Sequence, residues 1–176
     1  MFINPKTAIQ KGWISGITNP EKQIQPNAID FSADKCFKLK RGNVFYLSET
    51  TKQMRGSVPY EPTNDHEVLE GPSWTLAGGS MLDFLSDVYV DLPEGVAAML
   101  VIRSTLARNG LQLISGLYDS GFQGHIGFIL HNRHENAAIL APGTRVGQII
   151  FVSSDSAGAY AGQYNHGVGT DLEYQK

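Results

Sequence analysis

Apolar and polar residues alternate over many short stretches of the chain, a pattern typical of β-strands with one buried face. In Ile29–Ala33 every second residue is apolar. From residue 88 onward such stretches follow at short intervals, separated by turns rich in Gly, Pro and Asn. We predict strands there at Val88–Leu92, Ala97–Ile102, Gln112–Ile114, His125–His131, Ala137–Leu140 and Val146–Val152. This spacing predicts an all-β sandwich, jelly roll or barrel.

The flanking regions are less regular. A short helix is expected at Lys6–Lys11, because Pro5 precedes it and Gly12 follows it. We expect residues 17–28 to form a loop, Asn43–Leu47 a strand, and residues 50–75 a long surface excursion. The chain then divides into a β domain at residues 1–152 and a C-terminal tail at residues 153–176.

Composition narrows the class of protein. The 176 residues are 41% hydrophobic and 18% charged, which excludes a disordered chain. The net charge of −3 and the lack of a basic stripe argue against binding to a nucleic-acid polymer. One cysteine excludes a disulfide framework, and neither a membrane-length apolar run nor a signal peptide is visible. We therefore expect a cytoplasmic protein that does not bind membranes.

Common phosphate-loop, dinucleotide and metal motifs are missing. His131 and His134 are three residues apart, but in a β-rich context we assign them to a hairpin turn.

Four segments carry residues that point to a function beyond structural support: AIDFSA at 28–33, RSTLAR at 103–108, GLYDSGFQG at 116–124 and PGTRVGQ at 142–148. Arginines and hydroxyls are donors that suit a polyphosphate. Taken singly, each segment also fits a buried Arg–Asp pair or a capped turn.

In this order and spacing, the four segments resemble the dUTPase/dCTP deaminase superfamily. The resemblance covers residues 28–33 and nearly all of 97–152. It implies a distorted β jelly roll with a short N-terminal helix, a homotrimer, and active sites shared between subunits.

The two reactions of that superfamily, dUTP hydrolysis and dCTP deamination, are associated with different residues. The N-terminal region, RSTLAR and the Asp-Ser-Gly-Phe sequence are similar to dCTP deaminase. However, Ile129 stands where the resemblance to the deaminase implies a catalytic glutamate. Deamination requires a group that shuttles protons, and an aliphatic side chain cannot do so. The leading expectation is therefore dUTP hydrolysis to dUMP and pyrophosphate. A dCTP deaminase or related deoxycytidine nucleotide enzyme is the alternative, and a catalytically silent trimer that binds nucleotides or has a regulatory role is the second.

Similarity to dUTPase also implies residue roles. Asp119 would activate the water that attacks the α-phosphorus, and Gln148 would hold the α-phosphate or the water. Ser104 and Arg108 would bind the phosphates, whereas Arg103 would bind phosphate or hold the trimer together. Mg²⁺ would be held by phosphates and water, with Asp30 contributing indirectly at most.

The nucleoside is assigned to the turn around Asp119. Phe122 would lie against the sugar, and backbone groups between Leu113 and Tyr118 would read the base. The residues expected to contact the nucleoside are Leu113, Gly116, Leu117, Tyr118 and Phe122. In the tail, which lacks arginine, Tyr160 or Tyr164 would cover the bound nucleotide.

Overall fold

The strand-rich sequence folds around one large antiparallel sheet in the computed structural model, which describes residues 1–162 and 164–166. The elements follow in the order α1 Pro5–Gln10, β1 Ile14–Ser15, α2 Pro20–Gln23, β2 Ile29–Leu39, β3 Tyr46–Leu47, β4 Lys52–Gln53, β5 Ser57–Pro59, β6 Trp74–Leu76, β7 Met81–Asp91, β8 Val96–Ile102, α3 Ser104–Arg108, β9 Leu111–Ile114, β10 Gln123–Asn132, β11 Ala138–Leu140 and β12 Arg145–Ser153.

The main sheet has the strand order β8-β12-β2-β7-β10-β9, with β1 added to β7 and β5 added to β2. A bridge between Ala98 and Tyr118 joins strand β8 to the segment after β9, so the two ends of this order approach each other. The sheet is therefore an almost closed barrel, which confirms the predicted all-β class.

Alternation along the strands fills the barrel with apolar side chains. Strand β10 shows it most regularly, because every second residue from Gly124 to Asn132 is buried. The largest fully buried apolar side chains are Trp74, Phe31, Phe84, Phe151, Ile29, Leu76, Leu92, Ile126, Leu130, Ile149 and Val88. This core fixes the strands whose ends carry the candidate site.

The predicted helix and the strands after residue 88 are confirmed to within a few residues, although β7 begins earlier, at Met81. The loop expected at residues 17–28 is wrong in part, because it contains α2. Asn19 begins this helix, its side chain accepting a hydrogen bond from Lys22 N at 3.2 Å, and Pro20 occupies the first turn. The strand expected at 43–47 is limited to β3. The surface excursion expected at 50–75 contains β4, β5 and the first two residues of β6.

His134 lies at the turn after β10, as the sequence predicted, but the prediction is wrong for His131, which is on β10 and pairs with Met81 and Gln112. Asn136 N donates to His134 Nδ1 at 3.1 Å, and His134 N donates to Asn132 Oδ1 at 3.1 Å. These bonds hold the turn together. Within the described ranges, no helix combines the length and the apolar character needed to cross a membrane.

Candidate active site

Asp30 is the centre of a polar cluster on strands β2 and β12. It is 1% exposed, and its register partner across the two strands is Gln148. Gln148 Nε2 donates to Asp30 Oδ1 at 2.9 Å, and Arg145 Nη1 donates to Asp30 Oδ2 at 2.9 Å. Arg103 Nε lies 3.4 Å from the same Oδ2 atom. One buried carboxylate thus orients two guanidinium groups and one amide.

The two arginines differ in their remaining contacts. Arg103 Nη1 donates to the backbone carbonyl of Arg145 at 3.1 Å. Arg145 Nη1 also donates to the carbonyl of Lys22 at 2.5 Å. Both side chains remain about 30% exposed, at 31% for Arg103 and 28% for Arg145. The cluster carries two positive charges against one negative charge, and it faces solvent on its positive side.

A cleft of about 170 Å³ opens beside this cluster. Its lining residues are Gln25, Asp30, Arg103, Ser104 and Gln148. We call it the Arg103 cleft. It presents a guanidinium, a hydroxyl and amides, which are the donors that bind phosphate oxygens. Ser104 is the first residue of α3, directly after Arg103, so the turn from β8 into the helix places both side chains at the cleft.

Asp119 lies in a second cleft of about 410 Å³. It is exposed and follows Tyr118, whose backbone N–H and C=O are both bonded to Ala98, at 3.0 and 2.8 Å. We call this the Asp119 cleft. Its residues are Ala97, Leu117, Asp119, Ser120 and the segment from Ser154 to Tyr160. Of the described residues that line it, Asp119 and Asp155 carry carboxylates and none is basic.

Among residues 1–162 and 164–166, none lines both clefts. Strand β8 separates them, because Tyr118 is bridged to Ala98 while Gln148 pairs with Val101. At about 3.3 Å per residue, the two pairings are about 10 Å apart along β8. Within one chain, therefore, Asp119 is not brought together with Ser104, Arg103 and Gln148 in a single cleft.

Aromatic side chains support the turn that carries Asp119. Phe122 is 7% exposed and packs edge-on against Tyr118, with ring centroids 5.0 Å apart. Tyr118 donates its hydroxyl to the carbonyl of Gly127 at 2.6 Å. Burial raises the pKa of the Tyr118 phenol, so this donor stays protonated. Because the backbone N–H of Tyr118 is donated to Ala98, it is not available for base reading.

The described part of the tail folds back on the same turn. Tyr160 N donates to the carbonyl of Ser120 at 2.7 Å, and the Tyr160 ring lies 5.8 Å from that of Phe122. Tyr164 lies beyond this contact, near Lys52, whose Nζ is 5.8 Å from its ring centroid. Tyr160 therefore borders the Asp119 cleft, whereas Gln163 and residues 167–176 fall outside the described residues.

The other predicted residues are distributed around these two clefts. Leu117 is 58% exposed and lines the Asp119 cleft, and Gly116 is exposed beside it. Leu113 is half-buried on β9, opposite Leu130. Arg108 ends α3 as an exposed side chain and does not line the Arg103 cleft.

Asp30 does not suit a metal, since both carboxylate oxygens already accept bonds from Arg145 and Gln148. Among the described residues, no group of three or more His, Cys, Asp or Glu side chains could hold an ion. The residues present fit a cation only if phosphates and water supply most of its ligands.

Gln25 and Asp155, which line the clefts, and Arg145, which contacts Asp30 beside the Arg103 cleft, were not predicted as site residues. Arg145 belongs to a segment singled out in the sequence, but nothing in the sequence showed that it contacts Asp30. Gln25 lies in the segment expected to be a loop, and Asp155 lies in the expected tail. Only the fold brings them to the clefts, so no local sequence signal identifies them.

Comparisons with known proteins find relatives of two kinds, nucleotide hydrolases and deaminases. Residues 5–154 match a family model described as dCTP deaminase-like. A "Probable deoxyuridine 5'-triphosphate nucleotidohydrolase" of Methanothermobacter thermautotrophicus is 30% identical over 146 residues, covering 82% of this chain and 89% of that protein. A "dCTP deaminase, dUMP-forming" of Bifidobacterium animalis subsp. lactis is 30% identical over 162 residues, covering 90% of this chain and 81% of that protein.

Among solved structures, the 2'-deoxycytidine 5'-triphosphate deaminase from Agrobacterium tumefaciens is similar, with a TM-score of 0.64 and 13% identity. The match covers 87% of this chain and 48% of that one, so the present chain spans about half its length. At this identity the likeness concerns the fold.

Proposed function

Because this chain belongs to the dCTP deaminase-like family, we propose that it is a deoxynucleoside triphosphate pyrophosphohydrolase that converts dUTP and water to dUMP and pyrophosphate. One observation carries the choice of hydrolysis over deamination: Ile129 stands where a deaminase would need a proton-transferring acid, while Asp119 is exposed in a cleft. Relatives named deoxyuridine triphosphate nucleotidohydrolases match most of the chain at 30% and 31% identity.

In this mechanism, the Asp119 carboxylate accepts a proton from a water molecule whose oxygen attacks the α-phosphorus. The bond to the bridging oxygen breaks, and pyrophosphate leaves with its electron pair. Such a displacement depends mainly on positioning and on neutralising charge. Arg103 and Ser104 bind phosphate oxygens, and Gln148, held by Asp30, orients the α-phosphate or the water. Mg²⁺, when bound through the phosphates, supplies additional charge neutralisation.

The nucleoside would lie at the turn beside Asp119. Phe122 would limit space against the sugar, and backbone groups from Leu113 to Leu117 would read the base. Tyr160, which already packs against Phe122, would cover the bound nucleotide.

The separation of the two clefts supports a shared site in a homotrimer. In that arrangement, the Asp119 cleft of one subunit faces the Arg103 cleft of another. Strand β8 offers an apolar contact surface next to the Arg103 cleft, because Met99 is 40% and Val101 is 43% exposed. Burying these exposed apolar side chains between subunits would stabilise the contact.

The test of activity uses dUTP and dCTP separately in the presence of Mg²⁺, with pyrophosphate and ammonia measured independently. We expect pyrophosphate from dUTP and no ammonia from dCTP. Asp119→Asn should abolish pyrophosphate release while nucleotide binding changes little, and Asp65→Asn, an exposed acid elsewhere, is the matched control. Full activity of Asp119→Asn would refute the role of this residue. Nucleotide binding without any turnover would instead favour the catalytically silent trimer.

The shared site is tested with mixed subunits. Asp119→Asn and Gln148→Ala are each expected to be inactive alone. Unfolding the two variants together and refolding them should restore part of the activity, because some sites then combine an intact Asp119 with an intact Gln148. If the site lay within one chain, the mixture would remain inactive. The mass of the assembly by light scattering gives the number of subunits.

One observation favours the alternative of dCTP deamination. Asp83 on β7 is the register partner of Ile129, so both side chains lie on the same face of the sheet. A carboxylate is thus adjacent to the position where the deaminase acid is expected, and it could transfer protons as water adds to C4 and ammonia leaves. Ammonia release from dCTP that is lost in Asp83→Asn would establish this alternative.

A further inference from the structure

We propose that Gln25 is a substrate-binding residue, and that it donates a hydrogen bond to the phosphate chain from the N-terminal wall of the Arg103 cleft. The inference rests on the proposed function and adds a residue that none of the four segments contains. Gln25 lines the cleft together with Arg103, Ser104 and Gln148.

The backbone around Gln25 is fixed at both ends of a tight turn. Gln25 N donates to the carbonyl of Ala28 at 2.9 Å, and Ile24 forms a bridge with Ile29 at the start of β2. Pro26 restricts the intervening chain. The turn therefore holds Gln25 a few residues from Asp30, at the same end of β2.

Helix α2 ties this turn to the charged cluster. Gln23 is 2% exposed, and its Nε2 donates to the backbone carbonyl of Asp30 at 3.2 Å. Its Oε1 accepts a bond from Asn19 N at 2.7 Å. The carbonyl of Lys22 accepts a bond from Arg145. These contacts make the segment from Asn19 to Gln25 a rigid wall of the cleft.

The side chain of Gln25 is oriented but retains hydrogen-bonding capacity. Its Nε2 donates to the carbonyl of Lys22 at 2.9 Å, which uses one of the two amide hydrogens. Gln148 is in the same situation, since its Nε2 donates one hydrogen to Asp30. Each amide thus has a second N–H available to a phosphate oxygen. A hydrogen bond to a charged phosphate oxygen is stronger than one between neutral groups.

The experiment compares Gln25→Ala and Gln25→Glu with Gln10→Ala and Gln10→Glu, since Gln10 is exposed on α1. Losing one bond to a charged group should raise KM for dUTP about tenfold with little change in kcat. Gln25→Glu should raise it further by charge repulsion, and both Gln10 variants should leave it unchanged. Inhibition by pyrophosphate should weaken by the same factor, whereas inhibition by deoxyuridine should not change, because deoxyuridine has no phosphate.

The possible outcomes separate this inference from the proposed function. If the wild-type protein hydrolyses dUTP and the Gln25 variants keep their KM, the inference is wrong and the proposed function stands. An equal loss of pyrophosphate and deoxyuridine inhibition would assign Gln25 a purely structural role and overturn the inference. Thermal unfolding of each variant checks its folding, and Gln25→Asn, which shortens the amide by one methylene, should also raise KM.

Discussion

The carboxylate of Asp30 accepts a hydrogen bond from Arg145 Nη1 at 2.9 Å, although 115 positions separate the two residues in the chain. This contact crosses strands β2 and β12 and joins two segments that the sequence singled out independently. The same carboxylate orients Gln148 and lies 3.4 Å from Arg103. A single buried acid thus links the stability of the barrel to the geometry of the proposed phosphate site.

Replacing Asp30 should therefore affect stability and activity together. Asp30→Asn removes the negative charge between Arg103 and Arg145 and weakens their hydrogen bonds. We expect a loss of about 2 kcal/mol in the free energy of unfolding by urea, and a marked fall in pyrophosphate release. Asp65→Asn, on the surface, should change neither. An Asp30→Asn protein as stable as the wild type would contradict the role of the cluster in the fold.

The contact of the tail with the Asp119 turn depends on Gly121. Gly121 has φ = +82°, and a Cβ placed there would lie 2.8 Å from Ala159 Cβ. Gly143 has φ = +79°, but a Cβ placed there would meet no described atom within 4 Å other than those of its chain neighbours. Both Gly→Ala substitutions should cost about 1 kcal/mol in backbone strain.

Only Gly121→Ala should also displace the tail. We expect faster cleavage of residues 155–162 by a nonspecific protease in Gly121→Ala than in Gly143→Ala. Equal cleavage of the two variants would show that close packing at Gly121 does not hold the tail.

Asp87 should make stability depend on pH. Burial raises the pKa of its carboxyl, although Ser32 N donates to Oδ1 at 2.8 Å and partly opposes the effect. The folded state therefore binds this proton more tightly than the unfolded chain. Its stabilising contribution is present below the unfolded pKa and is lost as the pH rises through the higher folded pKa.

Asp87→Asn removes this titration. The Tm of the wild type relative to Asp87→Asn should therefore fall as the pH rises above about 4, the ordinary pKa of an aspartate, and level off once the folded carboxyl is ionised. Carboxyl groups far from Asp87 titrate equally in both proteins, so the difference reports Asp87 together with its neighbour Asp34, whose charge also raises the pKa of Asp87. A constant difference across this range would disprove the coupling.

Cys36 should be inert in the folded protein. Burial, aided by the negative charge of Asp83, raises the pKa of the thiol to about 12. Thiolate is the reactive form, so a thiol reagent at neutral pH should label Cys36 only after unfolding. The rate of labelling across a denaturant series should follow the unfolded fraction. Rapid labelling under native conditions would indicate that β2 opens locally.

The sequence predicted the elements whose periodicity is long enough to be distinctive. Strands β8, β10 and β12 were predicted to within a few residues because each is at least seven residues long and carries a clear apolar pattern. Burial alternates regularly along β10, whereas β8 is a continuous apolar run. Helix α2 was missed because four residues are too few to show a helical period. Its formation depends on the Asn19 cap and on Gln23, whose buried amide bonds to the Asp30 backbone.

By itself, the sequence determined the β class and the chemical character of the site: acids, arginines and hydroxyls in four short segments. Those features follow from local pattern and residue type. Only the tertiary structure decided that Asp119 and Gln148 occupy different clefts, and that Gln25 and Arg145 lie beside Asp30. Such placements depend on strand register and on bonds between residues far apart in the chain, which no local pattern specifies.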